Sequence, residues 1–177
     1  MSSLVDKARK FAFRAHNAIG QRRKYVDRPY TDHLEAVADL VASVTSDEKM
    51  IAAAYLHDVV EDTPVTFDEV ADHFGADVAY LVIYLTPVSR PKDGNRATRK
   101  AIDRAQIAKG DARVHTIKLA DILDNISSIV ERDPKFASVY LEEKRLLLPY
   151  LKDGDSELFS RVERLIAAWF NGEAING

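Results

Sequence analysis

Apolar residues recur at three- and four-residue spacings along nearly the whole chain, and nowhere does the two-residue alternation of a half-buried strand persist. That pattern predicts an all-α protein made of short, closely joined helices. Leu4, Val5, Ala8, Phe11, Ala12 and Ala15 form a first stripe behind a cap at Ser2 or Ser3, and this helix ends before Gly20. Asp32 and Glu35 have capping-box spacing and open a second helix through Val44, with Val37, Leu40, Val41 and Val44 facing inward. A third helix starts at Met50 and stops at Thr63-Pro64. Thr66 with Glu69 caps a short helix closed by Gly75, and another over 76–85 ends before Thr86-Pro87. Pro91, Asp93 and Gly94 mark 88–95 as a loop, beyond which helices are expected over about 96–109, 113–132, 134–148 and 156–170.

The Met50 helix carries the strongest chemical signal. Its first two turns are apolar on every side, so it should lie buried, yet it ends in His57, Asp58, Glu61 and Asp62. Carboxylates at a helix C-terminus face the negative end of the macrodipole, which is the unfavourable end for them. Two readings follow. Either a divalent cation supplies the counter-charge, with His57 and Asp58 as adjacent ligands and Glu61 and Asp62 one turn further along, or the helix leaves the core and its polar end is solvated.

Composition narrows the field. At 177 residues and 46% hydrophobic, the chain fits a single globular domain over 1–177. Lys and Arg number 25 against 28 Asp and Glu, and a net charge of -3 gives no general pull toward nucleic acid or an anionic membrane. Yet eight Lys or Arg fall between Lys7 and Arg28 with Asp27 as the single acid, which suits a small anionic ligand better than a long polyanion. The lack of cysteine excludes disulfides, thiolate metal sites and a cysteine nucleophile. With no apolar signal core and no membrane-length apolar run, a soluble cytoplasmic protein is expected.

Outside the Met50 helix, His33 opens the second helix, and Asp121 shares a polar face with Lys118, Asp124, Asn125 and Ser128. Either residue alone reads as an ordinary solvated position; together with His57 and Asp58 they are candidate ligands. His16 and His73 sit near helix ends where a positive charge suits the dipole, and His115 has no carboxylate within helical reach on its C-terminal side, so all three read as structural. The run Gly20-Gln21-Arg22-Arg23-Lys24 is a basic connection leading to His33, and Arg offers a planar fork for phosphate oxygens. A second basic run, Asn95 to Lys100, opens a helix and is a weaker phosphate candidate.

In order, His33, His57-Asp58 and Asp121 resemble the H…HD…D signature of the HD superfamily of metal-dependent phosphohydrolases. The resemblance extends through Arg23-Lys24, Pro29 to His33, Leu56 to Thr63, Phe74-Gly75, and Lys118 to Asp121 with Asn125. Over roughly Phe11 to Ser128 this looks like the hydrolase domain of RelA/SpoT proteins, and in particular like the stand-alone small alarmone hydrolases of the Mesh type. The resemblance implies an HD-type helical bundle that removes the 3′-pyrophosphate from guanosine tetra- or pentaphosphate, usually with Mn. It implies that His33, His57, Asp58 and Asp121 hold one divalent metal and that Glu61 and Asp62 handle the attacking water. It also implies that Arg23, Lys24, Asn125 and Tyr140 contact the nucleotide. Two imidazoles and two carboxylates form a mixed nitrogen and oxygen shell suited to Mn or Fe and less to Mg.

After Leu85-Thr86 the chain departs from the family pattern, continuing Pro87-Val88-Ser89-Arg90-Pro91 where acidic residues are usual. The 88–100 segment therefore leaves guanine and adenine alarmones both open as substrates. An HD nucleotidase acting on ordinary nucleotides would have the same metal shell. A nucleotide sensor without catalysis is a third reading, against which the Glu61-Asp62 pair argues. The oligomeric state has no signature in the sequence.

Overall fold

The computed structural model describes residues 3–24 and 26–175, and Ser2 falls outside them. Among the described residues there are ten α-helices and no strand, only an isolated antiparallel bridge between Arg22 and Pro29. None of these helices is long and apolar enough to cross a membrane. The chain divides into two compact units, Met1–Pro87 and Val88–Gly177.

The first unit holds α1 (Leu4–Ala18), α2 (Thr31–Ala42), α3 (Glu48–Leu56), α4 (Val59–Asp62), α5 (Phe67–Phe74) and α6 (Ala76–Leu85). Ser3 caps α1 and Thr66 caps α5, each in a complete capping box, as the pattern predicts. At the centre lies α3, packed by α1, α2 and α6. Its Ala52, Ala53 and Ala54 are fully buried, and side chains this small let the neighbouring helices approach closely. Arg9, Glu35 and Tyr55 tie the three helices together. Arg9 Nε donates to Glu35 Oε2 at 2.8 Å and Tyr55 Oη to Glu35 Oε1 at 3.2 Å. Burial, and then the Glu35 charge, push the Tyr55 phenol up to about 12.

That tie corrects one expectation. Glu35 is engaged across the helix interface, so it forms no capping box with Asp32; α2 instead starts after Tyr30, which makes no side-chain cap bond. Asp32 pairs with Arg28 at 2.7 Å. The helix also stops at Ala42, two residues earlier than expected.

The second unit holds α7 (Arg96–Ile107), α8 (Ala112–Arg132), α9 (Pro134–Leu147) and α10 (Ser156–Phe170), with 3-10 turns at Pro91–Asp93 and Leu148–Leu151. The 21-residue α8 packs against α9, α10 and the second of these turns, and buries Ile117, Leu119, Ile122 and Ile126. The 88–95 loop is organised by Asp103 of α7, whose carboxylate accepts from the backbone N–H groups of Val88 and Ser89 and from the Ser89 hydroxyl.

Candidate metal centre

The Met50 helix does not run unbroken to Thr63. It is interrupted at His57-Asp58, where α3 ends and the single turn of α4 begins. The cause lies in one side chain: His57 Nδ1 lies 2.7 Å from the carbonyl oxygen of Ala54, a backbone acceptor close to the end of α3. A carbonyl can only accept, so Nδ1 carries the proton and, in the neutral ring, Nε2 is left with its lone pair. The interruption also places Asp58 at the N-cap of α4, not at the end of one long helix, which eases the dipole misfit expected from the sequence.

The Nε2 nitrogen of His57 points into a cluster of like groups. His57 Nε2 is 3.2 Å from His33 Nε2 and 2.9 Å from Asp58 Oδ2, and His33 Nε2 is 3.7 Å from the same oxygen. These ligand atoms of His33, His57 and Asp58 all lie within 4.8 Å of one another. Both imidazoles are buried. Tyr30 Oη donates to Asp58 Oδ2, and its ring packs on that of His33 with centroids 5.3 Å apart. Burial raises the Asp58 carboxyl, but when the rings take up a second proton the His57 charge and hydrogen bonds from both histidines outweigh it and hold it well below the usual carboxylate range.

Three electron-pair donors converging at such distances need a cation or a shared proton between them. Two imidazole nitrogens and a carboxylate oxygen, one ring oriented by a backbone carbonyl and the carboxylate oriented by a phenol, form a donor set that can hold a divalent metal.

Glu61 is exposed, while Asp62 is half-buried and accepts from Gln21 Nε2 at 2.8 Å. Burial pushes the Asp62 carboxyl above its ordinary value against the opposing effect of the Gln21 bond. Gln21 in turn meets His16 Nδ1 through its Oε1. His16 is fully buried and stacks on Tyr30 at 5.1 Å, so its place is beside the site and not at a solvated helix end. Arg23 and Lys24 lie in the 22–29 loop, braced by the Arg22–Asp27 ion pair at 2.6 Å and by Arg23 N–H donating to Arg28 O at 3.0 Å.

In the second unit, Asp121 is buried on α8. Its Oδ2 accepts from Lys118 Nζ and its Oδ1 from Asn125 Nδ2, both at 2.6 Å. Lys118, Asp121 and Asn125 are thus brought together by helical spacing, as the polar face of α8 suggested. Tyr140 carries the ammonium of Lys144 over its ring at 4.6 Å. Burial, reinforced by the charge of Lys118, lowers the Lys144 ammonium to about 7. In the weaker basic run, Arg96 is committed to Glu143, with Nε and Nη2 at 2.6 and 3.0 Å from its two oxygens.

Tyr30, Gln21 and His16 were not assigned to the site from sequence, and Lys144 was not singled out in the second unit. Tyr30 and Gln21 stand inside quoted motifs, where neighbouring charged residues masked them; His16 and Lys144 carry no local signal, because their roles depend on burial.

A family model described as HD domain matches residues 8–147. A guanosine-3′,5′-bis(diphosphate) 3′-pyrophosphohydrolase of Aquifex aeolicus is 31% identical over 146 residues, 82% of this chain and 20% of that protein. A protein of Drosophila melanogaster, guanosine-3′,5′-bis(diphosphate) 3′-pyrophosphohydrolase MESH1, is 38% identical over 117 residues, 64% of each chain. A solved structure described as a metazoan ortholog of SpoT that hydrolyzes ppGpp superposes with a TM-score of 0.83 at 28% identity, covering 98% of both chains. The chain spans about a fifth of the length of the long bacterial relatives it matches.

Proposed function

Because the chain belongs to the HD domain family, we propose that it is a metal-dependent alarmone hydrolase, removing the 3′-pyrophosphate from guanosine or adenosine tetra- or pentaphosphate in the cytoplasm, with 1–177 acting as one hydrolase domain. The observation that carries the reading is the convergence of His33 Nε2, His57 Nε2 and Asp58 Oδ2 within 4.8 Å. The mixed nitrogen and oxygen donors suit Mn or Fe, and the family resemblance selects Mn. Asp121 is assigned as a fourth ligand by its place in the H…HD…D order of the sequence. When bound, such a cation neutralises phosphate charge and supplies a nucleophile at neutral pH.

The remaining steps belong to side chains. Asp62, whose carboxyl is already raised by burial, accepts the proton of the attacking water, with Glu61 beside it on α4. Arg23 and Lys24 meet substrate phosphate, and Asn125 and Tyr140 contact the nucleotide. Incubating the Mn-loaded chain with guanosine and adenosine 3′-diphosphates and with ordinary nucleotides, then identifying the products, tests the proposal. Pyrophosphate released from a 3′-diphosphate is the expected result. Orthophosphate released from monophosphates alone would move the assignment to a nucleotidase.

A further inference from the structure

The connection between α1 and α2 presents Gln21 in a fixed manner. Gly20, at φ 63°, closes α1. Its N–H donates to Asn17 O at 3.0 Å and the Gln21 N–H to His16 O at 3.1 Å, the paired bonds of a Schellman cap. The Gln21 carbonyl then accepts from Tyr30 N–H at 3.2 Å, so this residue is anchored at both ends of its backbone.

Its side chain is held equally firmly. Asp62 Oδ2 can only accept as a carboxylate, which turns the Gln21 amide nitrogen toward it at 2.8 Å and the amide oxygen toward His16 Nδ1. That nitrogen therefore donates, fixing the Nδ1–H tautomer of His16. Stacking on Tyr30, with planes 29° apart, fixes the ring itself. The same tyrosine donates to Asp58. One buried imidazole thus braces the site along two routes, through Gln21 to Asp62 and through Tyr30 to Asp58.

We infer that Gln21 and His16 are positioning residues that hold the Asp62 carboxylate by its Oδ2, leaving Oδ1 to meet the water. This assignment rests on the hydrolase reading above. Neither residue touches substrate; each acts through Asp62. Gln21→Met keeps the length of the side chain and deletes both amide bonds, so the carboxylate can rotate away from its working orientation.

The test uses the full chain loaded with Mn and guanosine 3′,5′-bis(diphosphate) as substrate. Gln21→Met is expected to lower kcat by about 10-fold or more, since small misplacements of a reacting group are costly, with KM and metal content little changed. In an Asp62→Asn background the same change should cost nothing further. Independently of any substrate, nitrogen NMR should find His16 in the Nδ1–H form in the unmodified protein and a mixture of tautomers in Gln21→Met. Unchanged kcat in Gln21→Met, or a full additional loss in the Asp62→Asn background, would overturn the positioning role. An Nε2–H tautomer in the unmodified protein would overturn the relay alone. Failure of the unmodified chain to release pyrophosphate from any 3′-diphosphate would instead overturn the hydrolase reading, and the catalytic sense of the relay with it.

Discussion

Binding of a divalent cation should stabilise this protein by an amount that the degree of saturation makes calculable. A ligand that binds only the folded chain, present at about 100 times its Kd, adds about 2.7 kcal/mol. For a domain of this size, about 2–4 °C of melting temperature corresponds to each kcal/mol. Mn should therefore raise Tm by roughly 5–11 °C under those conditions. His57→Ala removes one of the two nitrogen donors, and Asp58→Asn removes the carboxylate that carries the charge while keeping its volume. Each should reduce the rise to about 2 °C or less and abolish stoichiometric binding. Protons compete for the same lone pairs, so the rise in the unmodified protein should shrink as pH falls. Differential scanning fluorimetry across a Mn titration, with metal content measured on the same samples, checks this. A full rise in both variants would mean that His57 and Asp58 do not hold the metal, and that their approach to His33 reflects a shared proton only.

Three further outcomes are expected. Glu61→Gln combined with Asp62→Asn should keep metal and fold while turnover falls by about two orders of magnitude or more; turnover near the original rate with metal in place would refute the proton-handling role. Arg23→Ala should raise KM with a smaller loss at saturating substrate, and a pure kcat effect would contradict it. The Lys144 ammonium, lowered from 10.5 to about 7, is charged at a cost to the folded state. Between those values the unfolded chain binds a proton that the folded chain has released, so the cost is full below pH 7 and fades as pH rises toward 10.5. Lys144→Met should accordingly raise Tm most at and below pH 7 and least above pH 10, and a pH-independent difference would refute the assignment.

Elements bounded by backbone chemistry were legible in the sequence. Gly75 and Thr86-Pro87 delimit α6, and the expected limits of α10 at Ser156 and Phe170 are those observed. The grouping of His33, His57 and Asp58 could be read from motif order because their residue types and spacing carry the chemistry of a candidate metal site. Features decided by tertiary contacts could not. The Asp32 and Glu35 spacing mimics a cap, but Glu35 gains more from Arg9 and Tyr55 on neighbouring helices. The interruption at His57-Asp58 depends on an imidazole reaching the Ala54 carbonyl, which periodicity cannot register. Gln21, set among basic residues, looked like part of a charged loop; only folding reveals Asp62 within 2.8 Å of its amide.

The alanine run of α3 has a consequence for how this protein tolerates change. Ala54 contributes a fully buried methyl group to the core and, through its carbonyl, the bond that aims His57. Packing and the aim of the imidazole are therefore mechanically one part. An added methylene at Ala52, Ala53 or Ala54 would enter a fully buried position, so α3 is expected to shift and to carry the imidazole with it. Lesions in this stretch should show as weakened metal affinity before they show as unfolding, although none of the three side chains is itself a ligand. Adaptation to a new substrate would thus fall on positions outside the buried core, such as Arg23 and Lys24, while α3 stays frozen in size.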